Sequence, residues 1–289
     1  MKNSRKNQGV GLEIKDKPLL EAKLNRLLSW LRKRRKLLVA YSGGVDSSFL
    51  LQMALKTLGP ERVVAVTGVS PLYPVEEIQA AKELARKLKA SHLTVKTQAW
   101  RSPLFLANRP NRCYLCKKDL YRHLNHLAKK LKLNAIADGT TQDDLSDFRP
   151  GEKARRELGV AAPLKEAGLT KREIRALARK FSLPVWNKPA SPCLASRVPY
   201  GCRISLKRLR RIHQAENALQ NLKIRIARVR DHYPLARIEI EKADWMKIWR
   251  HREEIVNRLK AVGYVYVTVD LEGFRSGSLN AIVKNWKEQ

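Results

Sequence analysis

Between Tyr41 and Ser48 the chain reads YSGGVDSS, two glycines flanked by three serines and an acid. Gly43 and Gly44 lack a Cβ, so the backbone there can approach an oxyanion closely. The amides that open a following helix and the hydroxyls of Ser42, Ser47 and Ser48 can donate to that oxyanion. This is the chemistry of a phosphate site. No Lys follows as in GxxxxGK[ST], and the glycines do not have the GxGxxG spacing of dinucleotide sites. A tight strand-to-helix turn with Asp46 as a dipole-favoured first-turn acid is the plainer alternative. It accounts for the acid and leaves the glycines and serines unexplained.

Sulfur is the second reactive group. Cys113 and Cys116 stand in NRCYLCKKDLY ahead of a basic helix, Cys193 lies in the Pro-rich stretch LPVWNKPASPCLASRVPYGC, and Cys202 follows nine residues later. Four cysteines are too few for a disulfide framework in a chain of 289 residues. CxxC alone fits redox, zinc and iron–sulfur chemistry. Three readings remain open. A Cys₄ zinc site would lack the usual second knuckle, because the later pair is spaced Cx₈C. Inert buried thiols are the second. The third is an iron–sulfur site of Cys113, Cys116 and Cys193, which on a cubane leaves one iron open to hold a sulfide.

The elements that must position these groups read as α/β. Strand candidates LLVAYS (37–42), RVVAVTG (62–68), HLTVKT (92–97) and NAIADG (134–139) alternate with helical patterns at 48–58, 75–88 and 117–131. That alternation predicts a parallel sheet wrapped by helices, with ligands beyond the carboxyl ends of its strands. A capping box opens a helix over 170–180. The prolines that follow forbid helix or central strand, so 184–203 reads as a linker loop. Beyond it a helix (205–222), two strands (224–230 and 235–240), a helix (244–262) and a strand (264–269) predict a smaller C-terminal α+β domain. The division is a basic N-terminal helix or extension (1–35), the α/β domain (36–183), the linker (184–203) and the small domain (204–289).

Composition is globular, with 44% hydrophobic and 30% charged residues. No apolar run approaches the roughly 20 residues that span a bilayer, and the basic N-terminus lacks a secretory pattern, which places the protein in the cytoplasm. The net charge of +32 points to polyanions and to non-specific nucleic-acid binding, or to broad Lys and Arg use for solubility or heat. No base-reading motif accompanies it.

The SGGVDS segment resembles the SGGxDS signature of the PP-loop ATP pyrophosphatases, whose fold is adenine nucleotide α-hydrolase-like and which leave AMP on a carbonyl or carboxylate oxygen. The resemblance implies ATP and Mg²⁺, with Ser42, Gly43, Gly44, Asp46 and Ser47 around the β- and γ-phosphates and Thr67 and Ser70 near the adenosine. Together with NRCYLCKKDLY, DGTTQDDLSDFRPG, KPASPCLASRVPYG, ARVRDH, ARIEI and YVTVDLEGFRSGSLN, it resembles the LarE family, ATP-dependent sulfur transferases of nickel-pincer cofactor synthesis, from Lys36 to Asn280. What this implies is adenylylation of the carboxylates of a small nucleotide substrate, pyridinium-3,5-biscarboxylic acid mononucleotide, then replacement of oxygen by sulfur, in a homo-oligomer. It further implies that Ser196, Arg197, Glu216, Arg228, Arg230 and Glu239 bind substrate and phosphate. One branch of the family sacrifices a cysteine and another holds a [4Fe-4S] cluster. Pro192 stands at the sacrificial position, so the sequence fits the cluster branch, with Cys113, Cys116 and Cys193 as ligands. Asp144, Asp147 and Arg149 are candidates for a metal or for holding the cluster loop, with a capped, solvated loop as the equal alternative. A tRNA thiolase and a basic RNA-binding scaffold are the competing readings.

Overall fold

The computed structural model describes residues 17–145, 149–275 and 277–280; Asp147 and residues 1–16 lie outside them. LLVA is apolar at every position, as a parallel strand covered on both faces requires. It forms β1 (Leu37–Ala40), inside a four-stranded parallel sheet with β2 (Val63–Val69), β3 (Ser91–Lys96) and β4 (Ala135–Asp138) in the order β3-β2-β1-β4. The helices of this part are α1 (Lys17–Arg32), α2 (Val45–Leu58), α3 (Val75–Lys87), the single turn α4 (Pro103–Leu106), α5 (Arg112–Lys130), α6 (Gly151–Glu157), the single turn α7 (Pro163–Glu166) and α8 (Lys171–Lys180). Alternation along β1 sends Leu37 and Val39 to a core built with α1, α2, α3 and α8, while Leu38 joins Val66 and Ile136 against α5 and α6. The strand-rich half is therefore doubly wound, as the alternating pattern predicts.

A second sheet follows α9 (Leu206–Asn221). It contains β5 (Ala227–His232) and β6 (Leu235–Ile240), antiparallel, then α10 (Trp245–Arg250), α11 (Arg252–Ala261) and β7 (Tyr266–Val269), parallel to β6. A separate apolar cluster joins Leu72, Ala99 and Phe105 of the first part to Leu194, Val198, Ile204, Leu209 and Ile212. It is the seam along which the Pro-rich loop runs.

Several boundaries differ from the sequence reading. Cys113 and Cys116 lie inside α5 and not ahead of it, because nothing after Pro110 breaks a helix and Pro is tolerated only near a helix start. The strand expected over 224–230 is 227–232, since Lys223 takes a left-handed φ of 60° on leaving α9. The helix expected over 244–262 is interrupted at His251.

Candidate active site

The YSGGVDSS segment turns from β1 into α2 at the carboxyl edge of the sheet. Gly43 has φ +73°, and a Cβ there would lie 2.7 Å from that of Ala81 on α3, so the turn needs glycine twice over. Gly139, after β4, is held as closely, 2.8 Å from its notional Cβ to the Ser47 amide nitrogen. No side chain caps α2, which leaves its first amides facing outward as an anion site. In this state Ser47 Oγ accepts from the Ser42 amide at 3.2 Å and lies 3.0 Å from Ser42 Oγ. The Gly44 amide donates to Ser42 Oγ at 3.4 Å. These long bonds are available for exchange with phosphate oxygens.

Asp46 is the acid of this loop. Burial pushes its carboxyl up from 3.8 to about 6, Asp144 adds to the rise, and Lys171, Arg175 and Arg149 oppose it. Asp144 ion-pairs with Arg149 and Lys171, both at 2.9 Å, so the second acid arrives already compensated while Asp46 does not. Thr67 and Ser70 lie on β2 and just beyond it, both buried. Thr67 Oγ1 donates to the Tyr41 carbonyl at 2.8 Å and stands 2.9 Å from His92 Nε2, so its hydroxyl braces the strands beside the loop.

The Pro-rich loop is pinned by named hydrogen bonds. Asn108, fully buried, donates Nδ2 to the carbonyls of Val198, Pro199 and Cys202 at 3.2, 2.7 and 3.0 Å, and its Oδ1 accepts from Arg112 Nη1 at 2.6 Å. The Leu194 amide donates to the Leu72 carbonyl at 2.8 Å. This brings Cys193 to Cys113 and Cys116, which share a face of α5 at i and i+3. The three thiols act on one another: burial first, then Cys193, push Cys116 up to about 12, and the same causes raise Cys113. Burial and then all three thiols push Tyr73 well above its usual range. Cys202, whose carbonyl accepts from Asn108, packs against the same apolar cluster as Cys116 and Cys193. Among the described residues no group of three His, Cys, Asp or Glu side chains stands ready-formed as a metal site, for zinc or for a cluster.

The expected substrate residues gather where the loop meets the small sheet. Arg197 is 2% exposed and spends its guanidinium on the protein itself, with Nε and Nη2 on the two Glu216 oxygens at 2.9 Å and Nη1 on the Pro192 and Cys193 carbonyls and Ser196 Oγ. Glu216 also accepts from the Val229 amide. Arg230 pairs with Glu239 at 2.6 Å and donates to the Ser196 carbonyl and Ser278 Oγ. Arg228 differs: among the described residues it donates to the carbonyls of Ala227 and Ala190 and lies over the Phe274 ring. Burial, then Arg197, with Arg230 adding less, pull it down to about 10 against the opposing pull of Glu216 and Glu239, whose charges are already paired with Arg197 and Arg230. A buried cation short of counter-charge is what an anionic substrate group needs.

Sequence reasoning missed Lys188. Its Nζ donates to Glu77 Oε2 at 2.7 Å and reaches the Gly43 carbonyl at 3.5 Å, and Arg175 holds its backbone by donating to the Trp186 and Lys188 carbonyls. The signal was present, a lysine in the same loop as Cys193. Lys117 was missed too; Tyr121 first, and Asp138 and Cys116 with it, hold its ammonium above its usual range.

A doubly wound sheet whose first strand ends in SGGVDS, with an uncapped helix and a buried acid behind it, defines a PP-loop ATP pyrophosphatase. Residues 22–108 match the NAD synthase family model. The chain is 40% identical over 92% of its length to an uncharacterised protein of Synechocystis, covering 99% of that protein. It is 37% identical over 90% of its length to the pyridinium-3,5-bisthiocarboxylic acid mononucleotide synthase of Lactiplantibacillus plantarum, covering 95% of it. An uncharacterised protein of Methanocaldococcus jannaschii is 32% identical over 88% of the chain. The chain belongs to the family of the L. plantarum synthase, LarE.

Proposed function

We propose that the protein is an ATP-dependent sulfur transferase that converts pyridinium-3,5-biscarboxylic acid mononucleotide to the bisthiocarboxylic acid. The observation that carries this is the meeting of the Cys193 loop with both the phosphate loop, through Lys188, and the small sheet, through Arg197 and Arg228. A substrate carboxylate oxygen attacks the α-phosphorus of ATP, pyrophosphate leaves, and an acyl adenylate forms. Sulfide sulfur then attacks the acyl carbon, and AMP leaves with the original oxygen. Repetition on the second carboxylate completes the product.

In this reading the first amides of α2, Gly43, Gly44, Ser42 and Ser47 take the β- and γ-phosphates, and Asp46 holds the Mg²⁺ that offsets charge on the leaving pyrophosphate. Thr67 and Ser70 stand on the adenosine side. Arg228, with Ser196, binds the substrate's phosphate or carboxylate, while Arg197, Glu216, Arg230 and Glu239 set the position of Arg228 and of the loop. Cys113, Cys116 and Cys193 would hold a [4Fe-4S] cluster by three thiolates: two lie a helical turn apart, the third is close enough to act on both, and desolvation keeps the free Cys113 and Cys116 thiols protonated until a metal displaces the protons. When bound, such a cluster supplies an open iron that can carry sulfide. No described helix is long and apolar enough to cross a membrane, in keeping with a cytoplasmic enzyme. Exposed Met246, Trp249, Tyr266 and Leu271 supply apolar surface for a homo-oligomer.

The test is anaerobic incubation with Mg²⁺, ATP, sulfide and the biscarboxylate, before and after iron loading. Pyrophosphate, AMP and a product with sulfur in place of oxygen are expected, together with about four irons per chain. Cys113→Ala, Cys116→Ala and Cys193→Ala should each lose iron and sulfur transfer, and Cys202→Ala should keep both. Formation of ADP would refute the ATP chemistry. Iron-free active protein with dehydroalanine at Cys193 would place it in the sacrificial branch, and selective sulfuration of tRNA would replace the substrate class.

A further inference from the structure

At the opposite edge of the parallel sheet lies a cavity of about 530 Å³ lined by Arg32, Lys33, Arg34, Arg35, Lys36, Arg62, Lys132 and Asn134. Seven of these eight residues are cations. Lys36, Arg62 and Asn134 immediately precede β1, β2 and β4, so the cavity sits under the amino ends of the strands. Six residues of extended chain from Lys36 to Ser42 separate it from the phosphate loop by about 20 Å.

None of the seven cations has a carboxylate partner among the described residues. Arg34 lies over the Trp30 ring at 4.4 Å with a buried Nε that no group accepts, and Arg62 Nε donates only to the Leu58 carbonyl at 2.6 Å. The carboxyl end of α1 points here and offers about half an elementary negative charge. Seven positive charges exceed what it offsets. Beyond what water and salt screen, their mutual repulsion is relieved by an anion of comparable charge and extent.

We infer that this basic cavity is a docking site for the phosphodiester backbone of duplex nucleic acid, separate from the ATP site. A single strand would want aromatic faces on which to stack its bases. No aromatic residue lines the cavity, and Arg34 covers the ring of Trp30. A duplex presents regularly spaced phosphates and asks only for cations. Contacts from these cations to the phosphates would carry no sequence information. The site does not rest on the sulfur-transfer reading.

The experiment titrates the full-length protein into short fluorescein-labelled DNA and RNA duplexes and follows anisotropy between about 50 and 200 mM salt. Binding of either duplex that weakens steeply with salt is expected. The triple change Lys33→Gln, Arg35→Gln, Lys132→Gln should lower the slope of log K against log salt by roughly 3, about one per lost phosphate contact. The control triple Lys207→Gln, Arg210→Gln, Arg225→Gln removes the same charge from exposed positions around α9 and should leave the slope close to that of the wild type. Both triples should keep the wild-type rate of pyrophosphate release. Equal losses from the two triples would show that the whole basic surface binds and would overturn the proposal. So would binding of inorganic tripolyphosphate without binding of either duplex.

Discussion

Replacing Asp46 by Asn should make the protein more stable and inactive at once. The carboxyl is raised from 3.8 to about 6 by burial foremost, and such a rise corresponds to about 3 kcal/mol between the two protonation states. A raised carboxyl contributes stability that is fully present below its unfolded value near 3.8 and is lost as pH rises through about 6. At about pH 8 the ionised Asp46 therefore costs the ligand-free fold about 2 to 3 kcal/mol, and Asn, never charged, is spared that cost. At about pH 5 the gain should shrink to about 1.5 kcal/mol. Urea unfolding of both proteins at the two pH values reads the difference directly. Mg²⁺ with ATP should stabilise the wild type more than the Asn variant, because the metal supplies the counter-charge that burial withholds from Asp46 alone. Equal stability of the two proteins at pH 8, or a gain that does not shrink as pH falls, would refute the argument that Asp46 is a strained acid kept for a cation.

Lys188→Ala should slow pyrophosphate release about tenfold, the worth of one charge-assisted contact, while circular dichroism stays that of the wild type; an unchanged rate would remove Lys188 from the phosphate site. Arg228→Gln should raise the KM for the substrate roughly tenfold or more and leave the KM for ATP alone, since its partners among the described residues are carbonyls and a ring; a matched rise in both would argue against a substrate contact. Asn108→Ala removes four hydrogen bonds of a buried side chain and should lower the unfolding free energy by about 2 to 4 kcal/mol, with sulfur transfer falling more than ATP cleavage; a change under about 0.5 kcal/mol would show that the seam is held elsewhere.

The sheet was legible because a buried parallel strand advertises itself: LLVA and VVAV are unbroken apolar runs, and the glycines after LLVA mark the turn. The phosphate loop was legible for the same local reason, since a turn, a helix start and three hydroxyls occupy eight consecutive residues. The start of α5 was not, because Arg112 to Cys116 has no clean apolar repeat; Arg112 is buried and bonded to Asn108, which periodicity reads as a surface residue. The roles of Lys188 and Asn108 were not legible, although Lys188 shares the loop of Cys193, because they depend on partners ninety or more residues away. The residue types expected to bind substrate were found together, yet Arg197 and Arg230 are tied to Glu216 and Glu239, and only geometry distinguishes them from Arg228.

That distinction explains why a buried ion pair is worth keeping here. Burying Arg197 with Glu216 is costly in desolvation, and an apolar pair of like volume would often serve stability as well. An apolar pair could not hold the carbonyls of Pro192 and Cys193, the Ser196 hydroxyl and the Val229 amide in one arrangement, as this pair does. The ten residues from Lys188 to Arg197 thereby touch every working part: Lys188 reaches the phosphate loop, the Ala190 carbonyl is held by Arg228, Cys193 joins the other two thiols, and Arg197 locks the far end to the small sheet. A reaction that moves AMP onto an oxygen and then sulfur onto the same carbon needs both donors aimed at one point. A single irregular segment, too rich in proline to form a helix or a strand, fixes both distances at once because its shape is set by its anchors and not by a backbone repeat.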